Sequence, residues 1–137
     1  MQEPDKQSSH STEETKPSVR DLLERPVELH LPTRHNPKLR QVVARVNEHR
    51  ELQTLWRACN VTAVDRLHMT DHGPVHVRII ANIALKLRRL LVERGVEPGV
   101  VHYYGLQNED AEVVVVVAAL LHDIGMSIHR NDHERYS

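Results

Sequence analysis

At 137 residues, with a formal net charge of -1, the chain is sized for one domain and lacks the basic excess that neutralising a nucleic-acid backbone requires. It contains no Phe and a single Cys, Cys59, which excludes an aromatic-rich sandwich core, an internal disulfide and a Cys-based zinc site. No apolar run reaches the roughly 18 residues of a membrane span and the N-terminus has no apolar signal core, so a cytoplasmic protein with no membrane partner is expected.

Met1 to Pro17 is rich in Ser, Thr, Glu and Lys and nearly free of aliphatic residues, the composition of a disordered polar tail. A helical segment is expected over residues 18–60. A short amphipathic piece at Val19–Glu24 is stopped by Pro26, and Leu29–Pro37 reads as a linker broken by Pro32 and Pro37. From Lys38 to Cys59 the apolar residues recur at three- and four-residue steps, predicting one helix, or two with a bend near His49. A further short helix is expected over Val61–Leu67.

Thr70-Asp71 offers an N-cap and Pro74 suits a first helical position. In the helix that follows, His76, Ile80, Ile83, Leu87 and Leu90 are expected to face the core, while Arg78, Lys86, Arg88 and Arg89 form a solvated face. It ends by Gly95, and Val96–Leu106 reads as a loop in which Tyr103 and Tyr104 pack. The segment from Asn108 to Gly125 contains five consecutive valines, which favour a strand on propensity alone. Its acidic first turn, its length and Gly125 as a helix-ending residue favour a helix, apolar all round and therefore buried.

The eleven histidines are the compositional outlier, and neutral imidazole is the commonest metal ligand. His122 and Asp123 end the most hydrophobic segment of the chain, where two ionisable groups without partners cost several kcal/mol. A divalent cation offsets that cost, because imidazole and carboxylate suit first-row metals; the bland alternative is a solvated helix end. His76, in the first turn of its own helix, could join the same ion, or serve as a hydrogen-bonded core residue. His72 reads as a loop residue or cap. His129 and His133 are either further ligands or members of an exposed polar loop.

The string VVVVVAALLHDIG, preceded by HGPVHVRIIANIALKL, resembles the HD-domain metal-dependent phosphohydrolases. The resemblance covers Val61 to Ser137. It implies an all-α, HD-domain-like helical bundle, cut short at its C-terminus, with a partial HD domain over 61–137. By resemblance His76 is the early ligand, His122 and Asp123 are the doublet, and His133, with Ser137 behind it, is a second-metal ligand. Asp123 and Arg130 carry the chemistry in that reading, Arg130 as a bidentate phosphate clamp. The implied cofactor is one or two divalent ions (Mn, Fe, Mg or Zn), and the implied substrate is a nucleotide or other small phosphorylated metabolite. Two features depart from the family pattern. The chain ends before a distal Asp, and Met126 stands where several relatives carry Lys. A truncated bundle would expose its valine-rich helix, so a homodimer is expected. The rival readings are a catalytically incomplete metal- or nucleotide-binding module and a plain helical interaction domain.

Overall fold

A computed structural model describes residues 27–129 and 131–137; the expected polar tail, the Val19–Glu24 piece and Arg130 lie outside them. The described residues are all-α. Five helices follow one another: α1 (Pro37–Glu48), α2 (Arg50–Asn60), α3 (Pro74–Glu93), α4 (Gly99–Tyr104) and α5 (Asn108–Leu121). A wider π-type turn, Val61–Arg66, continues α2, and two 3-10 turns, Ile124–Ser127 and His133–Arg135, follow α5.

Asn36 shows why the chain turns helical at Pro37. Its side chain accepts the Leu39 N–H at 2.9 Å, satisfying one of the orphan donors of the first turn, and proline occupies the position that needs no donor. The break between α1 and α2 falls at His49, whose backbone is extended and whose ring Nδ1 accepts the Leu52 N–H at 3.2 Å. Gly73 is the N-cap of α3, and Asp71, two residues before it, supplies the acceptors: its carboxylate accepts the His76 N–H at 2.9 Å and the Gly73 N–H at 3.1 Å. At α5 the cap is Gln107, in a reciprocal box with Asp110. The five valines are helical, as the acidic first turn and the length predict.

α3 and α5 pack most extensively, and α1 lies against α5. The core joins Leu39, Trp56, Val77, Leu85, Val116 and Leu120, and it draws in Leu29 from the extended segment before α1. That segment is no free linker. Leu29 is buried, and Asn47 both accepts its N–H at 2.8 Å and donates to its carbonyl at 3.2 Å. Burying a side chain the size of Leu85 or Leu29 stabilises the fold by about 1.5–3 kcal/mol each.

Four expectations are corrected. The face of α3 turned to the core carries Val77, Ala81 and Leu85, whereas Ile83, Leu87 and Leu90 are exposed. Both faces of this helix are apolar, and the small side chain of Ala81 permits the closer approach to α5, so the core takes that face. Arg88 and Arg89 are not a solvated face, because both pair with Glu112, a buried carboxylate on α5. The span Val96–Leu106 is not wholly a loop: Gly99–Tyr104 is helical, closed by Gly105 in the left-handed region (φ 65°), and Tyr103 and Tyr104 are exposed rather than packed. Nor is α5 buried all round, since Val114 stands half in solvent. The larger uncovered apolar surface lies on α3.

Candidate metal centre

Three segments converge on one point. His76 comes from the third position of α3, held there because Asp71 caps its own N–H. The loop before it is fixed by Asn60, whose Oδ1 accepts the His72 N–H at 3.1 Å. Gly73 lies so close to Asn60 that a Cβ there would sit 2.9 Å from two of its side-chain carbons. His122 and Asp123 follow directly on α5.

The end of α5 is anchored from below. Trp56 donates its indole N–H to the Leu120 carbonyl at 2.9 Å, a buried bond that satisfies a carbonyl the helix itself leaves open. The Cys59 thiol lies under the Asp123 and Ile124 carbonyls at 3.4 and 3.5 Å. Burial pushes that thiol up from its ordinary value, the Ser127 backbone opposes this only in part, and the charge of Asp123 adds to the rise. Cys59 is therefore a protonated structural donor rather than a nucleophile.

The side chains meet around the Asp123 carboxylate, which is 8% exposed as a residue. Oδ2 lies 3.0 Å from His122 Nε2 and 3.3 Å from His76 Nε2, while Oδ1 faces His133 Nε2 at 3.6 Å. The rings of His76 and His122 stand 5.6 Å apart, and His72 stacks on the far side of His76 at 5.2 Å.

The ligand chemistry follows from the bonding. His122 Nδ1 lies 2.8 Å from the Ala119 carbonyl, which can only accept, so Nδ1 donates there and Nε2 is the nitrogen turned to the cluster. His76 Nε2 is buried and has no hydrogen-bond partner; the carboxylate is within ion-pair distance but off the hydrogen-bond axis. One ligand atom each from His76, His122 and Asp123 falls within 4.8 Å of the others. Two imidazole nitrogens and a carboxylate oxygen, one of the nitrogens buried without a hydrogen-bond partner, fit a divalent cation.

His133 reaches this point through a close turn. Gly125 donates its N–H to Ser137 Oγ at 3.0 Å, and Ser137 Oγ donates in turn to the His133 carbonyl at 3.0 Å. A Cβ on Gly125 would collide with that carbonyl oxygen. The glycine is thus required by close approach, not as a left-handed helix terminator; its φ is not positive. His129 turns away, with Nδ1 on the Asn131 carbonyl at 2.6 Å. Met126 is buried beneath the site beside Cys59 and Ala63.

Of the residues singled out in the sequence, His76, His122, Asp123 and His133 come together, and His72 stands beside them. Asn60 and Asp71, which hold the loop, carry no distinguishing sequence signal beyond the capping position of Asp71. Asn60 is one polar residue near the end of an amphipathic helix, and only its contact with Gly73 reveals its role.

No family model matches the chain, and no solved structure matches it significantly. The chain is similar to an uncharacterised protein of Methanocaldococcus jannaschii, with 38% identity over 90 residues. That match covers 66% of this chain and 35% of the archaeal protein, so the chain spans about a third of that relative's length.

Proposed function

We propose that the chain is the metal-binding part of an HD-type, metal-dependent phosphohydrolase acting on a phosphate ester, a nucleotide or another small phosphorylated metabolite. The observation that carries this reading is the convergence of His76 Nε2, His122 Nε2 and one Asp123 oxygen, with the His122 ring oriented by the Ala119 carbonyl. These three residues would hold one divalent ion. Asp123 turns its second oxygen to His133, which would contribute to holding a second ion in this reading. A bound divalent ion supplies Lewis acidity toward a phosphoryl oxygen and a water acidified toward neutrality. The protein's own part is orientation: Ala119 keeps the His122 ring turned, Asp71 sets the height of His76, and Trp56 fixes the end of α5. Arg130, next in sequence to His129, supplies a bidentate guanidinium for phosphate oxygens in this reading.

A second reading, metal or nucleotide binding without turnover, rests on the ligand count. Three groups leave open coordination positions that substrate and water could occupy, or that a catalytic ligand would need to complete.

Elemental analysis separates these readings from a plain helical protein. The wild type is expected to retain one or two transition-metal ions per chain, and the His122→Ala/Asp123→Ala variant none. Phosphatase and nucleotide substrates then distinguish turnover from binding, and Asp123→Ala should abolish any hydrolysis. A wild type that takes up no Mn, Fe, Mg or Zn after reconstitution would overturn both metal readings.

A further inference from the structure

A histidine ligand must have its ring turned as well as its backbone placed, and the group that turns it is usually a hydrogen-bond acceptor on the other ring nitrogen. For His122 that group is the Ala119 carbonyl, 2.8 Å from Nδ1. His76 has no counterpart. Asp71 fixes its backbone N–H, but among the described residues neither ring nitrogen makes a hydrogen bond, and Nε2 is buried.

The His76 ring has aromatic neighbours instead. His122 lies 5.6 Å away with the planes tilted by 37°, and on the other side His72 is stacked at 5.2 Å with the planes 25° apart. His122 is itself a candidate ligand. His72 is not: the ligand atoms that converge belong to His76, His122 and Asp123.

His72 is nonetheless held firmly. Asn60 Oδ1 accepts its backbone N–H at 3.1 Å, and its ring Nδ1 lies 2.7 Å from the Thr70 carbonyl, which can only accept. Asn60 is the last residue of α2, the helix whose Trp56 and Cys59 also hold the end of α5. One helix therefore fixes both the doublet and the flat surface against which His76 rests.

We infer that His72 is a positioning residue for the metal site: the face of its ring, not its nitrogens, keeps His76 Nε2 turned to the Asp123 carboxylate, 3.3 Å away. The inference rests on the metal reading proposed above and supplies what orients the ligand that no hydrogen bond turns.

Calorimetric titration of Mn or Zn into the metal-stripped full chain tests this, with helix content and the metal-free melting temperature as folding controls. His72→Ala removes the ring and should weaken binding on the order of tenfold, the scale on which groups behind metal-bound histidines act, with the stoichiometry unchanged. His72→Phe keeps a flat face without either nitrogen and should bind nearly as wild type does. His72→Gln keeps a polar head able to ligate or hydrogen-bond but no ring, and should fall with His72→Ala. The Phe and Gln variants decide the matter even if His72→Ala folds poorly. Affinity restored by Gln but not by Phe would overturn the inference, because His72 would then act through its nitrogens. So would a wild type that binds the ion while His72→Ala binds it equally well, which would leave the metal reading standing. A wild type that binds no ion would end both.

Discussion

Glu112 is 7% exposed and remains a carboxylate because donors from two other elements meet it. Arg89 reaches it through Nε at 2.7 Å and a second nitrogen at 3.0 Å, Asn36 Nδ2 at 2.9 Å, and Arg88 at 3.4 Å. Burial alone would raise the carboxyl, but the hydrogen bonds from Arg89 and Asn36 and the charges of Arg89 and Arg88 outweigh it and hold it below the ordinary value. The contribution of the ionised group is therefore fully present above the unfolded value of about 4.3 and is lost as pH falls through the lower folded one. Thermal unfolding measured against pH should steepen in that acid window for wild type and flatten for Glu112→Gln. At neutral pH the same substitution should cost about 1–3 kcal/mol, since it leaves a guanidinium without its charged acceptor. Nothing in the sequence distinguishes this carboxylate from Glu109 or Asp110 beside it, which are only partly buried. A buried ion pair becomes visible only when two helices are laid together.

At the level of elements, the helices were legible from apolar period, and most sharply where a start signal preceded it: Asp71 before Pro74 and the acidic turn before the valines; the Asn36 cap before Pro37 reads as linker. The orientation of α3 was not, because Val77, Ala81 and Leu85 compete with Ile79, Ile83 and Leu87, and hydrophobicity alone favours the bulkier set. Small size decided in favour of the first, since Ala81 lets the helix approach α5. The turn after α5 gives a sharper case. Gly125 permits the His133 carbonyl to lie where a side chain would otherwise be, and Ser137 bridges the two. Gly125→Ala should destabilise the protein by about 1–3 kcal/mol through overpacking. Helicity should persist while the His133 turn detaches. Thermal denaturation reads the first effect, and a change in the His133 imidazole resonances by NMR reads the second.

Across the whole molecule, the candidate site lies where the end of α2, the start of α3 and the end of α5 meet. The convergence of His76, His122 and Asp123 was legible because ionisable residues at the end of an apolar helix demand an explanation from the sequence alone. Its supports, Asn60, Cys59 and Trp56, were not, being indistinguishable from ordinary helix residues until the chain is folded. Among the described residues no helix is long and apolar enough to cross a membrane.

Trp56 gives the molecule a built-in optical probe. It is the single tryptophan of the chain, it is buried, and its indole N–H is bonded to the carbonyl two residues before His122. Indole emission depends on the polarity and hydrogen bonding around the ring, so any shift of the end of α5 is written directly into the spectrum. Titrating Mn or Zn into metal-stripped protein should change the emission saturably, and His122→Ala/Asp123→Ala should leave it flat. An unchanged spectrum in a wild type shown by elemental analysis to be loaded would mean that α5 is already set in its final position before any ion arrives.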